Sequence, residues 1–190
     1  MSTLSLENRI FEGFIHEFNR LGPAVTLNDI ARYLHMAKKT IYTVFDSKTD
    51  IYERLLQRTM DEILQAQKGV FEDTSLSTHD KLLKILTIKT TSETLLDVSQ
   101  FSAIHKYEPD FYEHLMKAYE MQWDYFTRLV EIAQKDGTLR CDVTPSFLTN
   151  MLAKSYEMLF QPDFLVRNHM TYTEAVTKIA QIVLSGVYLN

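Results

Sequence analysis

The sequence predicts an all-α protein of about nine helices. Only five Gly and four Pro occur among the 190 residues, too few for the many tight turns of an all-β fold. Apolar residues recur three and four positions apart over long stretches, which is the spacing of one helix face. The β-branched run at residues 85–91 resembles a strand, but no partner strand is apparent, so we assign it to a helix.

Three helices are predicted near the N-terminus. The first runs from about Leu4 to Leu21 and ends at Gly22-Pro23, because proline cannot continue the backbone hydrogen-bond ladder. Thr26 then caps a second, short helix, and Asp29 stands at the position that completes a capping box. After a bend at residues 35–36, a third segment buries an apolar side and turns basic and hydroxyl side chains towards solvent.

Longer helices are predicted in the rest of the chain. Ser47 and Asp50 repeat the capping pattern and open a helix that runs to about Phe71. Gly137 is expected just after a helix end, since glycine suits the left-handed position there. The remaining predicted helices begin near Thr78, cover Lys81–Ile104 in one broken or two short pieces, and span Pro109–Lys135, Thr144–Phe160 and Thr171 to the C-terminus.

Composition argues against several functional classes. The single cysteine, Cys141, cannot form an internal disulfide or, by itself, a zinc site, which suits a reducing cytoplasm. No run approaches the ~18 apolar residues of a membrane span, and no signal-peptide pattern is present. P-loop, dinucleotide and Gly-x-Ser-x-Gly motifs are absent, and His and acidic residues do not cluster as metal ligands do. We expect a soluble cytoplasmic protein with no catalytic site, cofactor or metal.

Charge is unevenly placed along the chain. The net charge is −5, yet residues 1–60 carry eight basic and seven acidic residues, a balance of +1. A short basic helix after a bend fits a helix-turn-helix, in which the second helix enters the DNA major groove. There, lysines neutralise phosphates and hydroxyls reach phosphates or base edges. The candidate residues are Lys38, Lys39, Thr40, Tyr42, Thr43 and Lys48. An ordinary solvated helix with a few lysines fits the same periodicity equally well.

The spacing of residues 26–56 is more specific than their charge. The stretch "TLNDIARYLHMAKKTIYTVFDSKTDIYERLL" resembles the N-terminal domain of the TetR family of transcriptional regulators. That family has a capped brace helix, a short recognition helix, an aromatic-x-x-Phe ending and a Ser-Lys-x-x-hydrophobic helix start, in this order. The resemblance extends over roughly residues 7–58 and favours DNA binding over an ordinary surface helix.

The resemblance also assigns roles to individual residues. It implies phosphate contacts for Thr26, Tyr42 and Lys48, and positions at or near base edges for Lys38, Lys39 and Thr43. Three positions differ from the family pattern: His35 replaces the usual turn glycine, Ala37 replaces a hydroxyl cap, and Lys39 replaces another glycine. The last difference adds a cation to the recognition helix.

The remaining sequence resembles the ligand-binding and dimerisation half of the same family. We assign residues 1–50 to a helix-turn-helix DNA-binding domain and residues 51–190 to a helical ligand-binding and dimerisation domain. Aromatic residues with a few polar groups are typical of small-molecule sites, although packing in a solid core is the commoner role of any one aromatic. The candidate ligand-binding residues are Phe101, His105, Tyr119, Trp123, Phe126, Met151 and Tyr156.

The leading hypothesis is a homodimeric repressor whose affinity for a pseudo-palindromic operator is lowered by a small molecule. Two recognition helices would read half-sites about 34 to 36 Å apart, or a multiple of that distance. The two C-terminal helices are expected to meet their symmetry mates through Leu148, Met151, Leu152, Ile179, Ile182 and Val183. The alternative is a helical ligand-binding or protein-interaction dimer without specific DNA recognition. A third class, an all-α enzyme using His16-Glu17 or His105-Glu108, is less favoured.

Overall fold

The computed structural model describes residues 3–90, 96–97, 100–161 and 163–188. Helices account for most of these residues, and the predicted all-α class is confirmed. The described residues form no β-strand; Leu139 and Tyr188 make an isolated antiparallel bridge. Within the same ranges, no helix combines the length and the apolar character that crossing a membrane requires.

The described residues contain the following α-helices in chain order. They are α1 (Thr3–Leu21), α2 (Leu27–Tyr33), α3 (Lys38–Ile41), α4 (Lys48–Glu72), α5 (Thr78–Leu86), α6 (Phe101–Tyr107), α7 (Pro109–Glu120), α8 (Asp124–Lys135), α9 (Pro145–Glu157), α10 (Phe164–Arg167) and α11 (Tyr172–Val187). Short 3₁₀ turns cover Gly22–Ala24, Met121–Trp123 and Met158–Phe160.

The chain divides into two compact units. The N-terminal unit consists of Met1–Met60 and Thr90–Leu115, and the C-terminal unit consists of Asp61–Lys89 and Met116–Asn190. The first division therefore falls inside α4, at residue 60 rather than at residue 50. The assignment of DNA binding to residues 1–50 and of ligand binding and dimerisation to residues 51–190 stays a prediction.

Local capping explains where several helices begin. The Thr26 side chain accepts a hydrogen bond from the Asp29 backbone N–H, and the Asp29 side chain accepts one from the Thr26 N–H, so the predicted capping box of α2 is confirmed. Thr171 and Glu174 form the same box at α11. At α4, the Asp50 N–H donates to the Ser47 hydroxyl at 3.0 Å. These caps satisfy N–H groups that would otherwise lack an intrahelical partner.

An aromatic core holds the N-terminal unit together. Phe14 and Phe45 are fully buried, and the Tyr52 ring on α4 lies 4.8 Å from both Phe14 on α1 and Phe111 on α7. Ile41, the last residue of α3, is also fully buried. Because a buried side chain of this size stabilises by roughly 1.5 to 3 kcal/mol, Ile41 and Phe45 fix the inner side of α3 and leave its other side exposed.

The core of the C-terminal unit is built from four helices. Helices α5, α8, α9 and α11 contribute its buried residues. They include Leu82, Phe126, Leu129, Val130, Leu148, Leu152, Ala180 and Leu184. Leu148 and Leu152 therefore point into the core of their own chain, and the expectation that they meet a symmetry mate is wrong. Much of the apolar side of α11 is likewise covered within the chain.

Three predicted helices end earlier or are interrupted. Helix α5 ends at Leu86, where the C-cap residue Thr87 donates both its hydroxyl and its N–H to the Leu83 carbonyl oxygen, and residues 88–90 are neither helix nor strand. The prediction that residues 85–91 are helical is therefore wrong for residues 87–90. Residues 91–95 and 98–99 lie outside the described residues. The predicted helix Pro109–Lys135 is broken by the 3₁₀ turn Met121–Trp123.

The physical cause of that break is a side-chain contact. The Gln67 amide donates a 3.1 Å hydrogen bond to the Gln122 carbonyl oxygen, which gives this carbonyl a partner outside the helix ladder. The predicted helix Thr144–Phe160 similarly ends in a 3₁₀ turn after Glu157. The short helix α10 was not predicted. Gly137 takes a φ of +78°, as expected for the residue after the α8 cap.

Candidate nucleic-acid interface

The turn between α2 and α3 is formed in spite of its missing glycine. His35 adopts a left-handed φ of +51°. Its N–H bonds to the Arg32 carbonyl oxygen at 3.2 Å, and the Met36 N–H bonds to the Ala31 carbonyl oxygen at 2.9 Å. These two bonds are those of a Schellman motif, in which a left-handed residue closes the helix end.

Helix α3 starts without a side-chain cap. Ala37 occupies the N-cap position with extended backbone, and its side chain makes no capping bond. The helix is only four residues long, Lys38–Ile41. Its anchoring therefore comes from the burial of Ile41 and Phe45, both fully buried, more than from its ends. The missing hydroxyl cap has not prevented the second helix of the motif from forming.

The outward side of α3 carries the predicted basic and hydroxyl groups. Lys38, Lys39, Tyr42 and Thr43 are all exposed, and Thr40 is half-buried. The Lys38 ammonium lies 5.6 Å from the centre of the Tyr42 ring, and the Thr43 hydroxyl donates to the Thr40 carbonyl oxygen at 2.7 Å. The structure thus brings five of the predicted DNA-binding residues onto one short exposed segment.

Ion pairs neutralise several other cations of this region. Arg32 pairs with Asp29 at 3.1 Å, and Arg54 pairs with Asp50 at 2.9 Å. Lys39, by contrast, makes no ion pair within the described part of the chain. The positive charge available to a polyanion is therefore concentrated at Lys38 and Lys39.

Thr26 lies at the exposed start of α2 and is already bonded within the chain. Its hydroxyl donates to the Asp29 carboxylate at 2.6 Å, and this bond lowers the pKa of Asp29. The Thr26 backbone N–H also donates to that carboxylate at 3.0 Å, and this second bond lowers the pKa of Asp29 as well. A phosphate contact by the Thr26 hydroxyl would have to share or replace the Asp29 bond.

Lys48, the seventh predicted DNA-binding residue, is held inside the N-terminal unit. Its ammonium donates to the Pro23 carbonyl oxygen at 3.0 Å and pairs with Glu108 at 2.9 Å. The other Glu108 oxygen accepts a bond from the Thr49 hydroxyl at 2.9 Å. Sequence reasoning missed this role of Glu108, since nothing in the spacing of two residues so far apart in the chain predicts their contact.

A family model described as "Bacterial regulatory proteins, tetR family" matches residues 15–55, which include the brace helix, the turn and the recognition helix. The HTH-type transcriptional regulator YvaF of Bacillus subtilis (strain 168) is 21% identical over 182 residues, covering 96% of this chain and 95% of the relative. Residues 15–55 therefore match the DNA-binding domain of the TetR family.

Solved structures that include a TetR-family protein share the fold over nearly the whole chain. The TetR-family protein CprB from S. coelicolor A3(2) is 14% identical with a TM-score of 0.71, and the alignment covers 100% of this chain and 92% of CprB. The SmeT protein in a SmeT–triclosan complex is 14% identical with a TM-score of 0.67, covering 98% of this chain and 93% of SmeT. At these identities the likeness shows the fold alone.

With this domain, and with a transcriptional regulator as its relative, the chain is a DNA-binding transcriptional regulator. The prediction that it is not an enzyme is confirmed by the family, whose members are regulators. The residues of the enzymatic alternative have other contacts. His16 Nδ1 lies 3.1 Å from Glu17, but the His16 ring also stacks on Tyr33 at 3.9 Å and Glu17 also pairs with Arg20, while Glu108 binds Lys48. The alternative of a dimer without DNA recognition is not favoured.

A cleft in the C-terminal unit brings together three of the predicted ligand-binding residues. Tyr119, Trp123 and Tyr156 line a small cleft of about 60 Å³ that is partly open to solvent. Phe160 and the charged side chains of Glu120, Lys154 and Glu157 line the same cleft. Lys154 lies 2.6 Å from Glu157 and 3.7 Å from Glu120. These charged residues were missed from sequence, because they look like ordinary surface residues there.

Polar groups at the aromatic wall of the cleft differ in their bonding. The Tyr156 hydroxyl donates to the Leu86 carbonyl oxygen at 2.9 Å, and burial raises the pKa of Tyr156. The buried indole nitrogen of Trp123 has no hydrogen-bond partner among the described residues.

The other four predicted ligand-binding residues lie elsewhere. Phe126 is fully buried in the core of the C-terminal unit, and Met151 is 39% exposed on α9. Phe101 and His105 belong to the N-terminal unit, where Phe101 is buried against Phe18 and His105 is exposed beside Tyr112. Their contribution to a ligand site stays a prediction.

Proposed function

We propose that the protein is a ligand-responsive repressor that binds a pseudo-palindromic operator as a homodimer. The observation that carries this proposal is the exposed basic and hydroxyl side of α3, presented by a well-formed turn. DNA binding is a property of the family; the operator, the dimer and the effector are our inference. Because the DNA of a bacterium lies in its cytoplasm, this function places the protein there.

The proposed DNA contacts divide into two classes. Lys39 and Thr43 read base edges in the major groove, with Lys38 beside them, because the side chains of Lys38 and Lys39 on α3 and of Thr43 in the turn after it are exposed. Phosphate contacts position the protein on the duplex without reading sequence. We assign these to Thr26, Thr40, Tyr42 and Lys48.

The proposed dimer uses α9 and α11. Phe147 is 62% exposed and Met151 39% exposed on α9, and Ile182 is 72% exposed on α11. Exposed apolar side chains on neighbouring helices are typical of a protein interface. Phe147 and Met151, four positions apart on one helix face, replace the buried Leu148 and Leu152 as the interface residues of α9. A twofold axis at this surface pairs two recognition helices for a palindromic site.

The proposed effector site is the aromatic cleft lined by Tyr119, Trp123 and Tyr156. Small-molecule sites are concave and mostly apolar, with a few polar groups that orient the ligand. One structural neighbour, SmeT, forms a complex with triclosan, which supports a small-molecule effector for this chain as well. Selecting compounds by their effect on Trp123 fluorescence would identify its chemical class.

Selection of bound duplexes from a random pool tests the proposal. The purified full chain should enrich one pseudo-palindrome whose half-sites are about one helical turn, or a multiple of it, apart. The variant with both Lys38→Ala and Lys39→Ala should remain folded and enrich no motif. Recovery of no palindrome by the wild type at physiological salt would contradict the proposal and favour the dimer without DNA recognition.

A further inference from the structure

Lys48 begins α4 but its ammonium is not free in solution. Only 21% of the side chain is exposed, and the ammonium lies 3.0 Å from the Pro23 carbonyl oxygen and 2.9 Å from Glu108 Oε1. It also lies 5.9 Å from the centre of the Tyr52 ring. A DNA phosphate that binds Lys48 must therefore compete with contacts that the ammonium already makes.

The carboxylate of Glu108 is positioned to hold this cation. Its side chain is only 14% exposed, and its second oxygen accepts a 2.9 Å bond from the Thr49 hydroxyl. Both oxygens thus contact the first turn of α4. Glu108 also directly precedes Pro109, and a residue before proline has restricted backbone angles. The carboxylate is thus held by two neighbouring residues of α4, Lys48 and Thr49.

We propose that Glu108 is an internal competitor of DNA, whose carboxylate holds the Lys48 ammonium until a phosphate takes its place. The inference rests on the proposed phosphate contact of Lys48. A carboxylate and a phosphate offer the ammonium the same charge-assisted hydrogen bond. Lys48 changes partner when DNA binds, and Glu108 keeps only the bond from Thr49.

This exchange has a defined electrostatic consequence. A free lysine that neutralises one phosphate releases about 0.9 counterion from the DNA. When Lys48 leaves Glu108, the carboxylate without its ion pair attracts a cation while the phosphate loses one, so the net release is close to zero. Glu108 therefore weakens binding to every DNA sequence. It also makes the slope of log affinity against log salt shallower by the contribution of one phosphate contact.

A purely structural role for the Lys48–Glu108 pair predicts a change in DNA affinity of the opposite sign when the Glu108 charge is lost. If the Lys48–Glu108 contact only positioned α4 for DNA binding, loss of the Glu108 charge would weaken binding. Competition predicts that the same change strengthens it. The direction of the change in affinity therefore distinguishes the two roles.

The test is Glu108→Gln in the full-length protein, with a random-sequence duplex as the probe. Glutamine keeps the size and the hydrogen-bonding oxygen but removes the charge. The dissociation constant at 0.15 M salt should fall about fivefold, and the slope of log affinity against log salt should steepen by about 0.9. Glu113→Gln removes the same charge from an exposed position on α7 and should leave the slope unchanged.

A double-mutant cycle with Lys48→Met separates failure of this inference from failure of the proposed contact. Lys48→Met should weaken binding about fivefold more in the Glu108→Gln background than in the wild type. If Lys48→Met has no effect in either background, Lys48 does not contact phosphate and the proposed contact is wrong. If it has the same effect in both, or if Glu108→Gln weakens binding, Lys48 can still contact DNA but Glu108 is not its competitor.

A second measurement needs no variant of Glu108 and covers the case in which Glu108→Gln unfolds. The side-chain carboxyl ¹³C signal of Glu108 should shift when duplex is added to the wild-type protein, because the carboxylate loses its cation. The same addition to Lys48→Met should leave that signal in place. An unchanged Glu108 signal in DNA-bound wild type would overturn the proposal.

Discussion

The Met36 backbone N–H donates a 2.9 Å hydrogen bond to the carbonyl oxygen of Ala31. The bond spans the end of α2 and is possible because His35, between them, takes a φ of +51°. A histidine thus occupies a backbone conformation that the family pattern reserves for glycine. The same arrangement recurs after α10, where His169 has a φ of +51° and the Met170 N–H bonds to the Leu165 carbonyl oxygen at 3.0 Å.

His35→Gly should stabilise the protein. A left-handed conformation costs a residue with a side chain roughly 1 to 2 kcal/mol, and glycine loses about 0.5 to 1 kcal/mol more backbone entropy on folding. The net gain should be about 0.5 to 1 kcal/mol in the free energy of unfolding, measured by urea denaturation. His169→Gly is the matched control outside the DNA-binding segment and should give a similar gain. A loss of stability in His35→Gly would show that the histidine side chain makes a favourable contribution to the turn.

Features that depend on neighbouring residues could be predicted from the sequence. The caps at Thr26 and Thr171 involve partners three positions away, and both are present. The break in Pro109–Lys135 could not be predicted, because it depends on the Gln67 side chain reaching Gln122 from another helix. Local chemistry thus located the helix starts, whereas the interruption required knowledge of tertiary packing.

Removal of the Thr26 hydroxyl should lower the free energy of unfolding more at neutral pH than at acidic pH. The Thr26 bond holds the pKa of Asp29 below its ordinary value. A carboxyl with a lowered pKa in the folded state contributes stability that is present above its unfolded pKa, about 3.9, and is lost as the pH falls through the folded pKa. Urea unfolding of Thr26→Val and wild type between pH 3 and 7 should show a difference of about 1 kcal/mol at pH 7 that narrows in acid.

Asp29→Asn is the control for that experiment. In the Asp29→Asn background, the change in the free energy of unfolding caused by Thr26→Val should no longer depend on pH, because the titrating carboxyl group is absent. A constant difference between Thr26→Val and wild type across the whole range would mean that the hydroxyl does not interact with the ionised carboxylate.

Lys39→Ala should change the sequence preference of the protein more than its affinity for DNA in general. Lys39 is exposed on α3 and makes no ion pair in the described part of the chain. If its ammonium donates to a guanine edge, its loss should cost about 1 to 3 kcal/mol at one base position. Competition binding to operator duplexes with single base changes measures this. Equal losses on every duplex would move Lys39 to the phosphate-contacting class.

Ile182→Glu should separate the proposed dimer. Ile182 is 72% exposed, so a charged residue there does not disturb the core of its own chain. Sedimentation velocity should show a monomer, and binding to a two-half-site operator should be lost although no DNA contact is altered. Val166→Glu is the matched control, because Val166 is 65% exposed on α10; it should remain a dimer. The reverse pattern would place the interface at α10.

The candidate sites were predictable to different degrees for a physical reason. Five of the seven proposed DNA-binding residues lie on one short segment, so the spacing of Lys38, Lys39 and Thr43 along the chain already placed them together. The cleft combines residues of α7, α9 and the 3₁₀ turns that follow each of these helices. Aromatics in such helices look alike in sequence whether they line a cleft, as Trp123 does, or fill a core, as Phe126 does.

Filling the cleft should abolish the response to effectors without weakening DNA binding. Trp123 is the only tryptophan of the chain and lines the cleft, so compounds that bind there should change its fluorescence. Such compounds should also lower operator affinity, by about 5- to 150-fold for a coupling free energy of ~1 to 3 kcal/mol, and operator DNA should lower their affinity by the same factor. Ala153→Phe places a bulky ring in the cleft and should remove both effects, whereas Ala153→Ser, which keeps the volume small, should retain them. Compounds that change Trp123 fluorescence but leave operator affinity constant would show that the cleft is not the effector site.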